Sequence, residues 1–140
     1  RHMSADLYSA LSAASTGLRA QTTRIRLAAE NVANANSTSE TPGGDPYQRR
    51  MPVFRAMVDR ETGARGVQVT KTVDDQSDFP VKFDPTHPAA NAEGYVKLPN
   101  VQTLIEMADI REAQRSYEAN LSIIENSRAM INRALDLLKR

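Results

Sequence analysis

A chain of 140 residues with 40% hydrophobic content, 5% aromatic content and no Trp has room for one domain, and suits long helices better than a bulky globular core. Its 18 basic and 17 acidic side chains leave a formal charge of +1 with both signs interspersed, which excludes the basic stripe that phosphate backbones select. Zero cysteines exclude a disulfide framework, a thiolate zinc site and a cysteine nucleophile together.

Arg1-His2-Met3 reads as a cloning remnant (residues 1–3) ahead of a start at Met3. The beginning lacks a basic region followed by an apolar one, and no run approaches about 18 consecutive apolar residues. The expectation is therefore a chain with neither a cleaved secretory signal nor a membrane span. From Leu7 an apolar seam runs through Leu11, Ala14, Leu18, Gln21, Ile25, Ala28, Val32 and Ala35 in alternating steps of four and three, the spacing of one helix face. It predicts a rod-like helix within residues 4–36, about 48 Å long at 1.5 Å per residue. Asn34, Asn36, Ser37, Thr38 and Ser39, then Pro42-Gly43-Gly44-Asp45-Pro46, supply helix-ending and loop chemistry.

Residues 37–100 change period. Val67, Val69 and Val73 alternate with polar residues, as do Phe79, Val81 and Phe83, and shorter extended runs lie at 51–58 and 95–98. Gly63, Gly66 and Gly94 punctuate them, while Pro52 and Pro80 suit edge strands or bulges. A small, partly open β region is expected. Residues 101–140 then form a second helix, with a seam at Met107, Ile110, Gln114, Tyr117, Leu121, Ile124, Arg128, Ile131, Leu135 and Leu138. Glu106, Arg111, Glu112, Arg115, Glu118, Glu125 and Arg133 mix both signs on its other faces. The predicted class is α+β: two long terminal amphipathic helices in a coiled-coil-like hairpin around a small irregular β insert.

The first seam is thin, because Ala14, Ala28, Ala35 and Gln21 offer far less apolar area than Leu at about 25 cal/mol per Å². Its burial should depend on neighbouring copies as well as on the second helix. The packing residues are expected to be Leu11, Leu18, Ile25, Val32, Tyr117, Leu121, Ile124, Ile131, Leu135 and Leu138.

Catalytic constellations are weak. Asp74, Asp75, Asp78 and Asp84 gather carboxylates, but a calcium loop starting at Asp74 would put Phe79 where the turn needs Gly and Pro85 where a bidentate Glu belongs. A hydrolase using Asp75 or Asp78 with His87 would need those groups to converge, and no Gly-x-Ser-x-Gly elbow or phosphate-cradling glycine loop is present. Arg19, Arg24 and Arg26 could mark a membrane-surface or adaptor helix, although that helix lacks Trp or Phe anchors. No enzyme activity, cofactor, metal, nucleic acid or small-molecule ligand is expected.

Residues 12–36 contain Ser15-Thr16-Gly17-Leu18-Arg19-Ala20-Gln21 and close on Glu30-Asn31-Val32-Ala33-Asn34-Ala35-Asn36-Ser37. This stretch resembles the N-terminal helix signature of the bacterial flagellar rod and hook axial proteins. The run Glu106-Met107-Ala108-Asp109-Ile110-Arg111-Glu112-Ala113-Gln114-Arg115-Ser116-Tyr117-Glu118-Ala119-Asn120 resembles the matching C-terminal helix of that family. The resemblance rests on Asn31, Asn34, Asn36, Glu106, Met107, Tyr117, Glu118 and Asn120. Asp84-Pro85-Thr86-His87-Pro88, Ala92-Glu93-Gly94-Tyr95-Val96-Lys97-Leu98-Pro99-Asn100-Val101 and the short insert resemble its proximal-rod type.

The resemblance implies a structural subunit of the proximal rod, located in the periplasm within the flagellar basal body. It implies export unfolded through the flagellar type III apparatus, and polymerisation through the terminal helices with other copies and other rod proteins into a drive shaft between motor and hook.

Overall fold

The apolar periodicity of the two ends folds as two long helices, α1 (His2–Ala33) and α2 (Thr103–Leu138), of 32 and 36 residues. At 1.5 Å per residue they extend about 48 and 54 Å. The computed structural model describes residues 2–139; Arg1 of the expected remnant and Arg140 lie outside the described residues. Asn31 stands opposite Glu106, Arg24 opposite Asp109 and Gly17 against Asn120, so the helices run antiparallel as a hairpin.

Between them lie two small antiparallel sheets. β1 (Arg50–Val58) pairs with β2 (Arg65–Asp74) from Arg50↔Asp74 to Val58↔Arg65, and β3 (Val81–Phe83) pairs with β4 (Tyr95–Lys97). A two-stranded ribbon has only edge strands, which is why β1 tolerates Pro52; the register shifts just beyond it, between Val53 and Phe54. The β1–β2 turn is closed by Asp59. Its carboxylate accepts the Glu61 and Thr62 N–H groups, its own N–H donates to the Ala64 carbonyl at 2.8 Å, and Gly63 supplies the positive φ of 72° that the turn requires. The ribbon docks on α1, where the Thr16 hydroxyl oxygen accepts the Val67 N–H at 3.1 Å. The architecture is the α+β helix hairpin around a small β insert that the periodicity predicts.

The core is thin. Ala14, Ala20, Leu27, Ala28 and Ala113 are its buried apolar residues on the helices, with Leu27 the one large side chain among them; Ala89 and Val96 are buried in the insert and Ala64 at the end of the β1–β2 turn. Many large apolar side chains stay outside, among them Leu104, Ile105, Met130, Leu135, Leu137 and Leu138. Leu135 and Leu138 line one groove with Leu7, Tyr8 and Ile131, and an exposed apolar patch of that kind marks an interaction site.

Candidate assembly surface

The helix pair has two dissimilar faces. Facing α1, α2 presents a heptad of Glu106, Ala113, Asn120 and Ser127, of which Glu106, Ala113 and Ser127 are buried and Asn120 is half-buried. This stripe lies one position before the apolar seam read from sequence. The flanking members of that seam, Ile110, Tyr117, Ile124 and Ile131, are half-buried, whereas Met107, Leu121, Leu135 and Leu138 are exposed. On α1, Ala14, Gly17, Ala20, Leu27, Ala28 and Asn31 are buried, while Leu11, Leu18, Ile25 and Val32 are half-buried.

The exposed and half-buried members gather into two open grooves. Ile25 and Thr22 of α1 meet Tyr117, Glu118 and Leu121 of α2 in one. Leu7 and Tyr8 meet Ile131, Leu135 and Leu138 at the far end of the hairpin in the other.

At the opposite end, a polar junction ties the insert to both helices. Glu106, in the first turn of α2, is 1% exposed. One of its carboxylate oxygens accepts from Arg49 Nε, and the other from Asn31 Nδ2 at 3.4 Å. Asn31 Oδ1 accepts the Arg50 N–H at 3.0 Å and the Tyr47 hydroxyl at 2.7 Å. Asn100 Oδ1 accepts the Arg49 N–H at 2.7 Å, and its Nδ2 donates to the Asp75 and Ser77 carbonyls. Among the described residues no buried side-chain polar atom lacks a partner.

Of the family-motif residues, Asn31 and Glu106 meet in this junction. Asn34 caps the end of α1 by donating to the Glu30 carbonyl at 2.9 Å, and Asn120 packs on Gly17. Asn36, Met107 and Glu118 are exposed. Sequence reasoning missed Arg49, Tyr47, Asn100, Leu27 and Ser127. The seven-residue repeat from Glu106 to Ser127 was the available signal, and it is invisible to a search for apolar side chains.

His87 belongs to a turn, its Nδ1 accepting the Ala89 N–H at 3.0 Å. Asp75 is engaged by Ser77 and Arg49. Among the described residues no group of three or more His, Asp or Glu side chains could hold a metal ion.

The Ser77 N–H and hydroxyl, and then Arg49, hold the Asp75 carboxyl below its ordinary range; the Thr62 and Glu61 N–H groups do the same for Asp59. A depressed carboxyl stabilises the fold above its unfolded pKa, near 3.9, and that stabilisation is lost as pH falls through the folded value. The thermal midpoint followed by circular dichroism should therefore be flat from about pH 7 to about 5 and decline below about 4. Asp75→Asn should flatten part of that acid limb; an unchanged limb would remove Asp75 from its causes.

Residues 92–137, which include β4 and most of α2, match the family described as "Flagellar basal body rod FlgEFG protein C-terminal", in the class of flagellar rod proteins. Near full-length relatives narrow it. The chain is 49% identical over 126 residues to the flagellar basal-body rod protein FlgC of Agrobacterium fabrum, covering 90% of this chain and 91% of that protein. It is 39% identical to FlgC of Borreliella burgdorferi, over 95% of this chain and 98% of that protein, and 35% identical to FlgC of Bacillus subtilis, over 94% and 98%. The chain belongs to the FlgC family of flagellar basal-body rod proteins.

Proposed function

We propose that this chain polymerises through the outward faces of α1 and α2, with other copies and other rod proteins, into the proximal part of the flagellar drive shaft. As a FlgC-family protein it is a structural component of the basal-body rod. The observation that carries the polymerisation reading is the inverted distribution of side chains on α2: small and polar residues against α1, Leu121, Leu135 and Leu138 outward. Neighbouring subunits supply the missing cover, and a head-to-tail contact whose rotation does not close gives a helical tube.

Under this reading the chain has no catalysis and no ligand of its own, and its thin core suits export unfolded through the type III apparatus followed by folding at the growing tip. The β insert is then the element that distinguishes one rod neighbour from the next.

The test is Leu121→Asp, and separately Leu138→Asp, as the sole copy in motile cells. Leu138 is 82% exposed, so its replacement should change the stability of the single chain by no more than about 0.5 kcal/mol, while Leu121, 36% exposed beside Ile25 and Tyr117, should cost more. Swimming should be lost and basal bodies should carry incomplete rods while the subunit is still made and exported. Normal swimming with intact rods in both variants would overturn the reading.

A further inference from the structure

Apart from Leu27, side chains along the inner seam are small: Ala14, Gly17, Ala20 and Ala28 on α1, Ala113 and Ser127 on α2. The backbones come close, since a Cβ on Gly17 would stand 2.8 Å from Asn120 Nδ2. Helices are normally fixed against each other by large knobs in holes, and this seam has few. The small stripe of α2 repeats every seven residues, so sliding α2 by two turns, about 10.5 Å, puts Ala113, Asn120 and Ser127 where Glu106, Ala113 and Asn120 stood and again sets small residues against small residues.

Glu106 does not slide so freely. Its carboxylate is buried and shared between Arg49 and Asn31. Both donors are themselves held, Arg49 through its backbone by Asn100, and Asn31 by Arg50 and Tyr47. A two-turn slip carries the carboxylate away from Arg49. The Arg24–Asp109 pair, with side chains 20% and 30% exposed, is a second fixed point between the helices, while Glu106 is the carboxylate buried from water.

The geometry points to Glu106, Arg49 and Asn31 as a register lock that sets the axial position of α2 on α1, and with it the shape of the outward docking surface. That surface is composite. Ile25 with Tyr117 and Leu121 forms one groove, and Leu7 and Tyr8 with Leu135 and Leu138 form the other, so each needs both helices in register. The consequence for docking rests on the polymerisation reading; the lock itself does not. Single buried polar groups fix register in this way in coiled coils, where they lower stability and raise specificity.

The chain has no cysteine, so introduced pairs report cleanly. In the purified full chain, Gly17→Cys with Asn120→Cys reads the native register, and Gly17→Cys with Ser127→Cys reads a register two turns away. Each pair is oxidised in the wild-type background and in Arg49→Met with Glu106→Leu, which replaces the ion pair by apolar groups. The wild-type background should trap the native pair almost alone, and the double variant should raise the slipped-to-native ratio about ten-fold or more.

A purely stabilising pair would lower both yields together without redirecting them, so an unchanged ratio overturns the lock. If the double variant loses its helical circular dichroism, Glu106→Gln with Arg49 intact takes its place under the same two outcomes. Motility of the same variant reads the docking consequence separately: wild-type swimming with a slipped register would keep the lock and overturn its role in docking.

Discussion

Arg49→Ala is expected to lower the free energy of unfolding by about 3–5 kcal/mol, and Glu106→Ala by clearly less. The asymmetry follows from where each charge sits. Glu106 is buried on the inner face of α2, and without Arg49 its carboxylate keeps only the Asn31 amide at 3.4 Å. An uncompensated buried charge cannot recover its lost hydration. Arg49 in the converse variant keeps Asp75 at 3.3 Å and partial access to water, with 24% of its side chain exposed. Urea unfolding followed by helical circular dichroism measures both, and equal costs would show that Glu106 is not the desolvated partner. Domains of this kind have about 5–15 kcal/mol in total, so Arg49→Ala should move the thermal midpoint down by more than about 10 °C.

Leu27→Ala is expected to cost about 2–5 kcal/mol in the same measurement. Leu27 is 1% exposed and is the largest fully buried side chain, in a core otherwise made mostly of alanines. Alanines already packed backbone to backbone cannot collapse further into the space it leaves, so the variant keeps most of its cavity. The comparison is Leu138→Ala, at 82% exposure, which should stay within about 0.5 kcal/mol in the isolated chain. A Leu27→Ala cost below about 1 kcal/mol would mean that the hairpin holds together through the polar junction rather than through its apolar seam.

The contrast between the two leucines describes the molecule. Stability of the single chain is concentrated at Leu27 and at the Glu106 junction, while most of the large apolar area, from Leu104 to Leu138, lies outside. That division suits the proposed polymerisation, in which neighbouring subunits would complete the burial.

The sequence by itself determined the element order, both helices to within a few residues, the strand positions and the family. Those features follow from local chemistry: heptad spacing from Leu7 to Ala35 and from Met107 to Leu138, alternation at Val67, Val69 and Val73, and the Asn-rich end of α1. It placed Ile110, Tyr117, Ile124 and Ile131 on a stripe that the fold keeps half-buried.

Which edge of that stripe turns inward was decided only by tertiary structure. Apolar periodicity assigns the seam to Leu121, Leu135 and Leu138, but two helices brought close at Gly17 and Asn120 leave room for Ala and Ser rather than Leu. Arg49, 57 residues before Glu106, satisfies a buried carboxylate that no local pattern pairs with it. Amphipathic spacing says that a face will be covered; the partner that covers it is set by the backbone separation and the long-range polar contacts that only the folded chain brings together.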